Sequence, residues 1–176
     1  MYRGVLFPSD IGWVGIAESA DGIAAIVFSK ASRSAAATSL RRTSDAPLEV
    51  SETPRLRAAK RQLSEYLAGT RKTFDLPLDL SHGTAFQRRV WKRLQAVPYG
   101  QLRSYRELAS SLGGIRYTRA VGGAVGANPL PIVIPCHRIV AQDGSLGGFS
   151  CGLPAKRRLL ALEGSLSRIR RVDRRV

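Results

Sequence analysis

Cysteine and histidine are scarce in this sequence, with two of each: Cys136, Cys151, His82 and His137. So few thiols exclude a disulfide-stapled scaffold. One Cys–His neighbour pair, a second Cys and a distant His do not make a zinc spacing, so neither a metal nor a cofactor is expected. Long apolar runs are missing as well. The longest candidate, AVGGAVGANPLPIVIP, is broken by Asn128 and three prolines, which excludes a membrane span of the usual helical kind. The opening MYRGVLFPSDIGWVG meets Pro8, Ser9 and Asp10 too early for the apolar core of an export signal. A cytoplasmic protein with reduced, free thiols is therefore the expectation.

Acidic residues are rare in one half only. Residues 1–81 carry 11 Lys/Arg against 9 Asp/Glu, whereas residues 82–176 carry 17 against 4, within a net charge of +15. Such an imbalance fits a polyanionic partner, and nucleic acid is the commonest one. The plainer alternative is a solvated, arginine-rich surface, since Arg (23) far outnumbers Lys (5).

What is present falls into two parts. YRGVLFP, GWVGIAES and IAAIVFS, parted by turn residues, predict two or three short strands in an antiparallel meander over residues 2–30. Residues 31–50 have no clear period and fit a loop or an irregular helix. Residues 54–68 place Leu56, Ala59, Leu63, Tyr66 and Leu67 on one helical face, with Pro54 in the first turn and Gly69 past the end. FDLPLDL (74–80) reads as one more strand or an extended linker. These elements predict a small N-terminal α+β domain over residues 1–78, with no obvious chemistry.

From residue 82 the character changes. Thr84-Ala-Phe-Gln87 is a capping box ahead of a helix with Phe86, Val90, Leu94 and Val97 on one face. Ser104-Tyr-Arg-Glu107 is a second capping box, opening a short helix that Gly113-Gly114 break. YTRAVGGAVGAN (117–128) then reads as a helix of small residues. Short helix, glycine turn and short helix make a helix-turn-helix, and its place in the basic half favours DNA. AKRRLLALE (155–163) predicts a last helix, followed by a basic tail over 165–176.

The stretch that carries chemistry is PIVIPCHRIV (131–140). A cysteine in an apolar run is commonly a small core residue. Here, however, prolines stiffen the approach to Cys136, and His137 and Arg138 come directly after it. A neighbouring His or cation lowers a thiol pKa and favours the reactive thiolate. Adjacent residues of an extended segment face opposite ways, so His137 needs a bend or a bridging water to serve Cys136. The small-residue loop GSLGGFSCGLP (144–154) lets a planar ligand approach the backbone.

IPCHRIV, GSLGGFSCG and KRRLLALEG, with VWKRLQAVPYGQLRSYRELA and TRAVGGAVGANPLPIVIPCHR upstream, together resemble the O6-alkylguanine-DNA alkyltransferase family over residues 84–164. The resemblance implies an α+β N-terminal domain and a helical, winged-helix-like domain over 82–164. It implies a single displacement that moves an alkyl group from O6 of guanine, and from O4 of thymine, to Cys136 in double-stranded DNA. The acceptor is not regenerated. By position, His137 would deprotonate the thiol through a water and Glu163 would orient His137. Asn128 would tie the recognition helix to the cysteine segment. Arg119 would enter the base stack as the damaged base swings out, and Tyr105 would reach N3 of that base and turn the phosphate. Ser104, Thr118, Ala120, Gly122, Gly123 and Arg138 complete the DNA-facing set. Pro131, Ile139, Phe149, Ser150 and Cys151 join Tyr105 around the base, with the backbone at Cys136, Ile139 and Ser150 reading its edge. Phe149 and Cys151 depart from the family's usual Tyr and Gly, and Cys151 would narrow the pocket mouth. A monomer is expected, with cooperative assembly on DNA left open. The competing readings are a damage-binding protein without transfer, a helix-turn-helix regulator and a thiol hydrolase.

Overall fold

The computed structural model describes residues 1–43 and 47–169. The chain divides into two compact units, Met1–His82 and a second that begins at Gly83.

In the first unit, β1 (Tyr2–Ser9), β2 (Gly12–Glu18) and β3 (Ile23–Lys30) form the expected meander. The sheet order is β3-β2-β1-β4, and β4 (Leu48–Val50) runs parallel to β1. Residues 31–50, read from the sequence as loop or irregular helix, contain a regular helix α1 (Arg33–Arg41). Its N-cap is Ser32, whose hydroxyl accepts from the Ala35 N–H. Ala36 and Leu40 are its buried residues, and Leu40 joins the core formed with Tyr2, Ala17 and Val27. Helix α2 (Pro54–Leu67) buries Leu56, Ala59, Gln62, Leu63 and Tyr66, so that Gln62 takes the place of Leu67 on the predicted face. The segment 74–80 is no full strand. It lies along the start of β3 through one bridge, Ile23 to Leu78, with Ile23 N–H donating to Pro77 O at 2.8 Å. A Cβ at Gly22 would sit 2.6 Å from that carbonyl, which is why glycine stands there.

In the second unit, both capping boxes are formed. Thr84 and Gln87 start α3 (Ala85–Gln95), and Ser104 and Glu107 start α4 (Tyr105–Ser110). A 3-10 turn, Ile115–Tyr117, leads into α5 (Thr118–Gly126). Helix α3 buries Val90, Trp91 and Leu94 and packs on α5, where the Trp91 indole N–H donates to Ala124 O at 2.8 Å. A two-residue strand β5 (Arg103–Ser104) pairs in parallel with β6 (Ile139–Val140). This pairing sets the residues just after Cys136 beside the start of α4. Helix α6 (Leu153–Leu162) closes the unit and leads to a 3-10 turn, Leu166–Arg168. Of the basic tail expected over 165–176, residues 170–176 lie outside the described residues. No helix among the described residues is long and apolar enough to cross a membrane.

Candidate active site

The approach to Cys136 is a tight, buried loop. Helix α5 ends at Gly126, and Asn128 ties down the segment from Leu130 to Cys136. Its amide Nδ2 donates to Ile134 O at 2.8 Å and to Cys136 Sγ at 3.1 Å, while its Oδ1 accepts the Leu130 N–H at 3.0 Å. Ile134 N–H closes the loop on Leu130 O at 2.8 Å. Inside it, Ile132 has φ of 77°, a left-handed conformation that a β-branched residue reaches only when its surroundings force it. The Asn128 bonds and the burial of Ile132 supply that force.

Cys136–Arg138 is a 3-10 turn, not the extended segment whose alternation would send adjacent side chains apart. The alternation argument for an extended segment therefore does not apply to Cys136 and His137. Both side chains are buried. His137 Nε2 lies 2.9 Å from Glu163 Oε1. Burial pushes the imidazole pKa down, against the raising effect of Glu163, so the ring is neutral at ordinary pH.

Burial also decides the thiol. The Cys136 pKa is raised to about 11, because desolvation outweighs the Asn128 hydrogen bond and the Lys156 charge, both of which lower it. The expectation of a thiol acidified by its neighbours is therefore corrected: His137 is neutral, and the Arg138 charge is spent elsewhere.

Arg138 is a second correction. Placed by resemblance on the DNA-facing surface, it is buried and clamps Glu163. Its Nε donates to Oε2 at 2.9 Å, Nη2 to Oε1 at 2.8 Å and Nη1 to Val97 O at 2.5 Å. Glu163 Oε2 also accepts the Gly100 N–H at 3.0 Å. Glu163 thus orients His137 while being held by a guanidinium and the turn after α3.

The wall of small residues is held by a residue outside the expected set. Lys156, fully buried, donates to Ile139 O at 2.5 Å, to Gly148 O at 3.2 Å and to Leu146 O. Ile139 N–H in turn donates to Cys136 O. Both backbone groups of Ile139 have partners within the protein, and its carbonyl oxygen keeps a second acceptor site. The Tyr105 hydroxyl reaches the same loop, donating to Gly148 O at 3.4 Å, and burial together with the nearby Cys136 raises its pKa. Gly147, at φ of 65°, leaves room for the Tyr105 ring, which a Cβ would meet at 3.1 Å. Pro131 is buried; Phe149 and Cys151 are half-buried and Ser150 is exposed. Neither Cys136 nor Cys151 is in a disulfide, and a charge on Cys151 disfavours ionisation of Cys136.

Helix α5 presents Arg119, Ala120, Gly123 and Gly126 as exposed residues, and Ala127 just past its end is exposed too. A Cβ added at Gly122, Gly123 or Gly126 would meet nothing within 4 Å. These glycines are therefore not needed for packing inside the protein, and their surface is open to something that approaches the helix backbone closely. Thr118 is half-buried with its hydroxyl on Ile115 O at 2.6 Å, and Ser104 is buried as the α4 cap. His82 is exposed, and a ring nitrogen bonds to the Tyr2 hydroxyl. Among the described residues no group of three or more His, Cys, Asp or Glu could hold a metal ion.

Lys156 had a signal in the sequence. Positions 156, 159, 160 and 163 lie on one helical face, so Lys156 falls on the apolar stripe of Leu159 and Leu160. Arg138 had none, since its partner lies 25 residues away.

Fold and site together define a helix-turn-helix protein built around one buried, hydrogen-bonded thiol. The family models that match are the 6-O-methylguanine DNA methyltransferase ribonuclease-like domain over residues 1–80 and the DNA-binding domain of the same methyltransferase over residues 85–165. A methylated-DNA–protein-cysteine methyltransferase of Methanosarcina acetivorans is 39% identical over 160 residues, 91% of this chain and 97% of its own. One from Mycolicibacterium paratuberculosis is 51% identical over 113 residues, 64% of this chain and 68% of its own. The crystal structure of Mycobacterium tuberculosis OGT in complex with DNA superposes with a TM-score of 0.78 at 36% identity, covering 96% of each chain. The chain belongs to the O6-methylguanine DNA methyltransferase family.

Proposed function

We propose that this protein repairs double-stranded DNA by direct reversal, moving an alkyl group from O6 of guanine, and from O4 of thymine, onto Cys136 in a single turnover. One observation carries the reading: a buried thiol accepts a hydrogen bond from Asn128 while the next residue, a neutral histidine, is held by a buried carboxylate. A thiol raised to about 11 is inert until a base takes its proton, and the neutral His137 is that base, working through a bridging water. Glu163 stabilises the imidazolium that forms. The sulfur then attacks the alkyl carbon. The S–C bond forms as the C–O6 bond breaks, and guanine leaves with its electron pair, taking a proton at N3 from the Tyr105 hydroxyl. The product is a neutral thioether with no route back to thiol, so each molecule acts once.

A stacked guanine cannot present O6 to a buried sulfur, so the base has to leave the helix. The open glycine surface of α5 fits close approach to a groove, and Arg119, exposed near its start, fills the gap in the stack. Phe149 and Pro131 form apolar walls for the extruded base. The protein acts as a monomer on DNA containing O6-alkylguanine, and this reading goes with a cytoplasmic, nucleoid-bound protein. Binding without transfer is the reading for relatives that lack an acceptor thiol, and Cys136 stands at that position here.

The test is intact mass after mixing the protein with a duplex holding one O6-methylguanine. A stoichiometric, unrepeated gain of one methyl group is expected, and Cys136→Ser should bind the duplex with no gain. Binding of the lesion duplex with no mass change in the wild-type protein would turn the reading to damage recognition alone.

A further inference from the structure

The outer face of α3 carries a concentration of charge for which the transfer scheme has no task. Arg88, Arg89, Lys92 and Arg93 are all exposed on this helix, and its sequence holds no acidic residue. They stand three and four positions apart, so each cation lies beside another on the helix surface, and like charges at those spacings repel. Lys92 and Arg93, in the last turn, are favoured by the helix dipole, whereas Arg88 and Arg89 draw no such benefit. Arg88 is tied to Gly83 O. Arg89, Lys92 and Arg93 have no ion pair among the described residues.

A merely solvated, arginine-rich surface looks like that of α2. There Arg55 meets Glu18 at 3.6 Å, Lys60 meets Glu52 at 3.2 Å and Arg61 meets Glu65 at 3.8 Å, so that cations come with acids. On α3 the repulsion is left unanswered. Among the described residues of this unit the exposed acids are Glu107, on α4, and Asp143, in the loop after β6. Direction matters as much as charge. Arg88, Arg89 and Lys92 fall on the side of α3 away from its buried Val90, Trp91 and Leu94, with Arg93 at the edge of that side. The buried side is the one that packs on α5. Helix α5 in turn buries Val121, Ala124 and Val125 and opens its opposite side, with Arg119 and Gly123. The basic face of α3 and the open face of α5 therefore look in different directions.

We propose that the outer face of α3, centred on Arg89, Lys92 and Arg93, is a second phosphate-binding surface, which holds a second segment of duplex DNA while α5 faces the first. The inference rests on DNA as the partner of α5 and not on alkyl transfer. Residues 89 to 93 span about 6 Å along the helix axis, a reach of two or three phosphates at about 3.4 Å of duplex each. Those phosphates supply the negative charge that the fold withholds. A straight duplex along α5 leaves this face uncovered, so the second segment comes from another duplex or a distant part of the same one. Holding both lets the protein pass between segments without release into solution, which shortens a search for rare damaged bases.

The experiment is sedimentation equilibrium of the full chain at low salt with excess duplex of about 12 base pairs, a little over one helical turn. Wild-type protein should form a complex of one protein with two duplexes, and Arg89→Gln/Lys92→Gln/Arg93→Gln a complex with one. The affinity for the second duplex should fall about sixfold on each doubling of salt, as counterion release from three phosphates requires. Arg157→Gln/Arg158→Gln, on the exposed side of α6, should keep the second duplex. The triple variant should bind its first duplex with little loss and methylate itself from a saturating O6-methylguanine duplex at the wild-type rate. A wild-type complex that stops at one duplex or contains two proteins, or a triple variant that still holds two duplexes, would overturn the inference. So would loss of the second duplex in the α6 variant, or a triple variant that loses its first duplex as well. A wild-type protein that holds two duplexes but moves no methyl group would overturn the alkyl-transfer reading and leave this inference standing.

Discussion

Replacing Glu163 by Gln removes one negative charge from the centre of the second unit and almost no volume. The carboxylate side chain is fully buried, and so, nearly, is its partner Arg138. Four groups converge on it: His137 Nε2, Arg138 Nε and Nη2, and the Gly100 N–H. An amide offers one acceptor oxygen in place of two. Its NH2 must point either at the Arg138 and His137 donors or at the Arg138 and Gly100 donors, and the guanidinium charge stays buried without a counterion. Breaking one side of such a pair costs about 3–5 kcal/mol. With a urea slope of roughly 2 kcal/mol per molar, a loss of about 4 kcal/mol moves the midpoint down by about 2 M. Urea titration by far-UV circular dichroism measures this, with fluorescence of the buried Trp91 reporting on the same unit. The double variant Glu163→Gln/Arg138→Met supplies the control. Removing both charges should recover part of the loss, because the penalty lies in the orphaned guanidinium. A loss below about 1 kcal/mol, or a double variant no more stable than the single one, would refute the reasoning that the clamp is an obligatory buried ion pair.

The same geometry leads to three further outcomes. Asn128→Ala leaves the Leu130 N–H and Ile134 carbonyl without these partners at about 1–3 kcal/mol each, and removes a bond that lowers the Cys136 pKa. Thermal melts should show the instability, and thiol titration a pKa higher still; a titration unchanged from wild type would contradict the Asn128–Sγ bond. Cys136 is raised in the folded state from 9.0 to about 11, so the stability it contributes is intact below pH 9 and is lost as pH climbs towards 11. That is about 3 kcal/mol, read as the difference between wild type and Cys136→Ser in chemical melts, since Lys156 titrates nearby with the opposite sign. A difference that does not change with pH would argue against a buried thiol. Arg119→Ala should slow transfer from duplex DNA far more than transfer from a free O6-alkylguanine base, and equal losses would remove Arg119 from base extrusion.

Helix starts and the proline-stiffened approach to Cys136 were the most legible features, because they are local. Thr84/Gln87 and Ser104/Glu107 close their capping boxes within four residues, and the prolines before Cys136 act on their own backbone. The features that stayed hidden depend on distance. Helix α1 has too little apolar pattern to be read, and it forms because Ser32 caps it and Ala36 and Leu40 find the sheet. The 3-10 turn at Cys136 follows the loop that Asn128 ties down across the buried segment from Leu130. Arg138 was placed on the DNA-facing surface by resemblance, and only the return of α6 brings Glu163 to it. Lys156 was readable in principle from its place on the Leu159–Leu160 face, but a charge among KRR is easily assigned to the surface. The pKa of Cys136 shows the same limit: neighbours in sequence suggested a lowered value, and burial, a property of the whole unit, raised it.

The central claim is that one of two thiols, Cys136, accepts the alkyl group. The direct measurement is peptide mass mapping after reaction with a duplex carrying a single isotopically labelled O6-methylguanine. Label is expected on the peptide containing Cys136 and not on that containing Cys151, at one methyl per protein. Label on Cys151, or on neither cysteine while the duplex is bound, would contradict the claim.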